Sequence, residues 1–193
     1  MMKKIKSIMI IMLMISLIFS IKVFAGDQEN PEIEDEIGDS YFDFLDIKSA
    51  WFFEDENEPE YLFISMKMNS INENFISIFA VKWHLQDTKY IAGLETYFIK
   101  PKISRSGLYQ RGTSWQWRSM PECGSIMDKN NNIMTWKILK TNIGDPQPGY
   151  ILTKTQASAV ASFPMSIFDP FIDMRDFAPN DTNEYGKDYT IQY

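Results

Sequence analysis

Trp115 and Trp117 stand two positions apart, so on a β-strand both indole rings project from one face. Tyr109, Gln110 and Arg111 lie just upstream. Flat rings of this kind cover the apolar C–H face of a sugar, and neighbouring amide and guanidinium groups reach its hydroxyls. These five residues form the candidate carbohydrate platform of the chain. The competing arrangement turns both rings into a core, with Gln116 and Arg118 of opposite parity facing water. Trp51, Trp83 and Trp136 differ. Each sits in a run whose parity partners are apolar, and all three are expected in the core.

Carboxylates gather in two places. Asp43 and Asp46 precede Trp51, and Asp169, Asp173, Asp176, Asp181 and Asp188 crowd the C-terminal stretch. Calcium takes about six to eight oxygens, and loops between sandwich strands can supply them. Asp43, Asp46 and Asp181 are the candidate calcium ligands. No EF-hand spacing is present, and the competing state is a solvated acidic surface. Calcium is the only cofactor the sequence suggests.

Catalysis has a thin basis. His84 is the one histidine and Cys123 the one cysteine, far apart, so a zinc site lacks ligands. There is no G-x-S-x-G elbow. His84 shares its strand face with Lys82 and Ile78, which places it at a surface or rim. Paired carboxylates for glycoside hydrolysis are the one enzymatic alternative, since three-dimensional spacing alone sets them. A non-catalytic protein is expected. With one cysteine there is no intramolecular disulfide, and Cys123 is expected to be a small buried residue. Asn180-Asp181-Thr182 is an N-glycosylation sequon, which places Asn180 on an exposed loop.

The first 25 residues give an address. Lys3, Lys4 and Lys6 precede an apolar run from Ile8 to Ile21, and Val23-Phe24-Ala25 offers a cleavage site. This is the pattern of a secretory signal peptide cut after Ala25. The run is shorter than the ~20 residues that span a bilayer, so no membrane span is expected after cleavage. No cysteine follows it to carry a lipid anchor. Cleavage would remove Lys3, Lys4, Lys6 and Lys22 and no acid, taking the formal net charge from −7 to −11. Such a surface repels phosphate backbones, which excludes nucleic acid as the expected partner.

The remaining 168 residues suffice for one domain with its own core. Residues 26–40 are acidic with little to bury, and they read as a flexible linker into a domain over 41–193. Phe44 to Phe53 is expected as the first strand. Tyr61 to Asn69 alternates, with Leu62, Ile64, Met66 and Met68 on one face and Phe63, Ser65 and Lys67 on the other. Phe75 to Leu85 and Tyr90 to Ile99 form two more strands around a turn at Asp87-Thr88-Lys89. Residues 107–118 hold one or two short strands. Gly124 to Asp128 and Ile133 to Leu139 make a hairpin over an Asn-rich turn, because Asn tolerates left-handed backbone angles. One helical turn fits before Pro146 and Pro148. Tyr150 to Phe163 suits either a strand or a short helix, and Asp188 to Tyr193 a closing strand.

Short strands at regular spacing without a helical period imply an all-β fold, an antiparallel β-sandwich of jelly-roll or immunoglobulin-like type. The stretch FDFLDIKSAWFFEDENEPEYLFISMKM resembles the opening of DOMON-like and family-9 carbohydrate-binding-module-like sandwiches. FAVKWHLQDTKYIAG, IMTWKI and YGKDYTIQY resemble secreted archaeal and bacterial members of that broad group. The resemblance covers residues 41–193. It implies an extracytoplasmic sandwich in a group with sugar-binding and with haem- or redox-binding modules. The haem-binding branch uses Met and His ligands, whereas Met66 and Met68 here carry core parity and His84 stands alone. The expectation is a secreted binding module for carbohydrate at or outside the cell surface. A structural or adhesive protein that binds a cell-surface protein is the alternative, motivated by the acidic 26–40 arm.

Overall fold

A computed structural model of the chain describes residues 26–72, 76–97, 103–110, 124–162, 175–180 and 183–193. Residues 1–25, expected as a signal peptide, lie outside the described residues, as do Arg111, Trp115, Trp117, Cys123 and Asp181. The described residues hold eleven strands: β1 (Ile33–Glu34), β2 (Ile47–Phe53), β3 (Tyr61–Met68), β4 (Ile76–Leu85), β5 (Thr88–Tyr97), β6 (Ile103–Gln110), β7 (Ser125–Asp128), β8 (Ile133–Leu139), β9 (Ile151–Ser162), β10 (Arg175–Ala178) and β11 (Tyr189–Thr190). A single 3-10 turn, Lys140–Ile143, follows β8 and ends at Gly144, whose φ of 87° suits glycine.

Two antiparallel sheets build a one-domain sandwich. The first runs β1-β2-β3-β8-β7 and the second β10-β9-β4-β5-β6. β11 joins the second sheet beside β10: Tyr189 faces Leu152 early in β9, and Phe177 faces Ser158 later in it. Alternation explains the strands. β8 buries Met134, Trp136 and Ile138 and leaves its odd-numbered residues half-buried. Turn chemistry explains the hairpins. Gln86 (φ 54°) closes the tight link from β4 to β5, and Asn132 (φ 56°) closes the one from β7 to β8. There the Asp128 carboxylate accepts the amides of Asn130 and Asn131.

β9 carries the one feature that hides its strand character. Lys82 faces Gln156 while His84 faces Thr153, so Lys154 and Thr155 together oppose Trp83. Lys154 takes φ 52° at this bulge. The extra residue switches parity, so that Leu152 points inward before it and Ala157, Ala159 and Ala161 after it.

The shared core centres on Phe52, whose ring meets Trp83 of the opposite sheet at 5.8 Å and Tyr189 at 5.7 Å. Burying each such apolar side chain contributes about 1.5–3 kcal/mol. Met66 and Met68 are fully buried. Trp83 and Trp136 lie in the same core, as expected. Trp51 is buried too, at 7% exposure, but its pairing with Ser65 sets it on the outer face of the first sheet.

Two sequence expectations are corrected. The stretch 26–40 is not a free linker. Ile33 enters the core and pairs with Ala50, while Pro31 and Glu32 are buried beside it. Backbone pairing of β1, Ile33 in the core and the Phe52 amide donating to the buried Glu32 carboxylate dock it, against an acidic composition that suggests solvation. The first strand also begins later than Phe44. Residues 43–45 turn, with the amides of Leu45 and Asp46 donating to Phe42 O, before β2 opens at Ile47.

Candidate functional site

The docked arm brings its acids onto the seam between the sheets. Asp35 follows β1, and its amide donates to Lys48 O at 3.2 Å. The chain then turns at Gly38 (φ 90°), whose amide donates to both oxygens of Asp46 at 3.1 and 3.0 Å. Asp46 is fully buried just before β2 and so fixes the turn that carries Asp39. From the second sheet, β10 presents Asp176. Its Oδ2 accepts the Ile47 amide at 2.7 Å, and its Oδ1 accepts the Phe177 amide at 3.0 Å. Asp35, Asp39 and Asp176 thereby bring one oxygen each to within 4.8 Å of one another.

Burial and neighbouring carboxylates outweigh the amides that face this group. Burial pushes the Asp35 carboxyl up to about 8, and the charges of Asp176 and Asp39 push the same way. Both Asp35 oxygens are shut off from solvent and lack a hydrogen-bond partner; the Glu36 amide comes near enough to lower the pKa but not in bonding geometry. Burial also raises Asp176, to about 6, against the opposing pull of the Ile47 amide. Asp39 is raised by burial and then by the charge of Asp46. The charged neighbours that weigh most on all three are other carboxylates.

Of the expected calcium ligands, Asp46 belongs to this corner as the clamp on the turn. Asp43 is exposed and stands outside the three-carboxylate group; its backbone oxygen accepts the Ser70 amide at 3.0 Å. Asp181 lies outside the described residues, next to exposed Asn180. Sequence reasoning missed Asp35 and Asp39, because they sit in a stretch that reads as solvated. Asp176 belonged to the acidic C-terminal crowd, with nothing local to separate it from its neighbours.

The expected carbohydrate platform is only partly in view. Tyr109 and Gln110 end β6, in register with Ile91 and Tyr90 at the edge of the second sheet. A second aromatic surface lies on the outer face of the first sheet. Phe53 stacks on Phe63 with centroids 5.0 Å apart and planes 18° from parallel, and Tyr61 stands 6.4 Å from Phe63. The Lys137 ammonium sits 4.0 Å from the Tyr61 centroid and pairs with Glu58. Ser65 and Thr135 share a hydroxyl hydrogen bond at 2.7 Å on the same face. The three rings are half-buried. Period-2 alternation places these residues together, yet single strands do not reveal that Phe53 and Phe63 are direct cross-strand partners.

Compared with protein-family models, curated proteins and solved structures, the chain has no significant match.

Proposed function

We propose that the chain is a secreted, non-catalytic binding module that holds carbohydrate at or outside the cell surface. The observation that carries this reading is the outer aromatic strip of Phe53, Phe63 and Tyr61, flanked by Lys137 and half-buried Thr135. Rings on a rigid sheet supply the apolar contact, and the flanking donors and acceptors meet sugar hydroxyls. The resemblance of the opening strands to sugar-binding sandwiches supports the same function. The sequence from Tyr109 to Trp117 adds a second aromatic-rich segment, and its first two residues lie on a sheet edge. A single histidine and the lack of any nucleophile motif favour binding over turnover.

A glycan-array screen of the chain with calcium present tests the reading, alongside Phe63→Ala and Trp115→Ala variants checked for folding by thermal melting. Saturable binding to one glycan class, lost in a folded variant, establishes the module and tells which surface serves. A blank array from folded protein removes the carbohydrate reading and leaves a protein-facing role. Release of sugar from any bound glycan would overturn the non-catalytic assignment.

A further inference from the structure

We propose that Asp35, Asp39 and Asp176 bind a divalent cation of the calcium class, which fastens the N-terminal arm to β10. Their oxygens lie within 4.8 Å of one another. Two oxygens on opposite sides of one calcium ion stand ~4.6–5.2 Å apart, twice the usual Ca–O distance, so a single ion can touch all three. The group is anionic and oxygen-only, the donor set that hard cations select.

The Asp35 carboxylate points to an occupant most directly. Neither of its oxygens has solvent or a hydrogen-bond partner, although buried polar groups are ordinarily satisfied. Asp176 is different: each of its oxygens already accepts one amide, which aims the carboxylate and leaves lone pairs free. Asp46 holds the Gly38 turn from behind, so Asp39 is carried on a fixed loop. Asp39 is exposed and gives the site its opening to solvent. Two of the ligands come from the arm and one from a strand of the opposite sheet, so the ion would replace a repulsion between these elements with a bridge.

A proton is the competing occupant, since the same crowding raises the carboxyl pKa values. The test therefore measures thermal unfolding of the chain at pH 8 in chelator and in 10 mM CaCl2. Calcium is expected to raise Tm by roughly 3–10 °C, the shift produced by a ligand at about 10- to 100-fold over its dissociation constant. At pH 5 the shift should shrink to a small fraction of that. Asp35→Asn should melt higher than the parent in chelator and lose the calcium shift. Asp39→Asn, at an exposed position, should lose the shift with its fold intact, and Asp43→Asn should keep it. A parent Tm indifferent to calcium at pH 8 overturns the site. So does an Asp35→Asn or Asp39→Asn variant that responds as the parent does.

Discussion

The Ile47 amide donates to Asp176 Oδ2 at 2.7 Å across 129 positions of chain. That bond joins β10 of the second sheet to the first residue of β2 in the first. It closes one side of the sandwich with a buried polar contact beside the apolar core.

Removing this acceptor strands a buried donor. Asp176→Ala should destabilise the protein by about 1–3 kcal/mol, the range for an unsatisfied buried group. Asp176→Asn keeps an oxygen for the Ile47 amide and removes a crowded charge, so it should lose clearly less. Urea unfolding of both variants at pH 7 checks the order. Equal losses would mean the charge matters and the hydrogen bond does not.

Acidification should stabilise the protein over a defined window. Asp35, Glu32 and Asp176 have folded pKa values of about 8, 7 and 6, above ordinary values of 3.8, 4.5 and 3.8. Burial is the main cause in each. Such groups bind protons more tightly when folded, so unfolding free energy falls as pH rises between the ordinary and folded values. In chelator, Tm should therefore climb as pH drops from about 8.5 toward 5, by a few °C on the usual scale for this chain length. Asp55 and Asp128 work oppositely, held low by hydrogen bonds from Asn57 and Asn131. Their contribution is lost as pH falls below 3.8, and the trend should reverse there. A melting series across pH 3–9 reads both limbs.

Glu54 anchors the last residues. Its carboxylate accepts the Tyr189 hydroxyl at 3.0 Å and the Gln192 amide at 2.6 Å, and it pairs with the buried Lys140 ammonium. Glu54→Ala removes the carboxylate partner of buried Lys140 and leaves its ammonium the Tyr193 oxygen, so the loss should approach the ~3–5 kcal/mol of broken buried pairs. The double change Glu54→Gln with Lys140→Met should recover much of it. Chemical denaturation of the single and double variants measures the coupling.

Gly186 lies between the arm and β9. Its amide donates to Thr155 O, and a Cβ there would come within 2.3 Å of Glu32 O and 2.8 Å of Thr155 Oγ1. Gly186→Ala must displace backbone, a loss of about 1–3 kcal/mol for overpacking. Limited proteolysis should then cut the arm around residues 27–36 faster than in the parent. An unchanged cleavage rate would show that the arm stays docked without this contact.

Alternation made much of the fold legible. β3, β4, β5 and β8 follow their period-2 patterns, and the Asn-rich hairpin matches its turn residues. β9 was ambiguous for a physical reason: the bulge at Lys154 breaks the period in the middle of the strand. β1 and β10 are two and four residues long, too short for any period to register. The carboxylate cluster was hidden differently. Asp35 and Asp39 meet Asp176 only because the sheets close, and no local pattern ties positions so distant.

The Lys187 ammonium reaches Pro31 O across 156 positions. During synthesis the arm emerges well before these partners. β1 can find β2 early, yet the arm's outer side waits for β10 and the segment before β11. Closing a loop of this length directly carries a high entropic cost, so this contact is sealed late, after the intervening strands have paired. The acids of residues 35 and 39 then spend most of folding in water, and meet Asp176 only as the sandwich shuts.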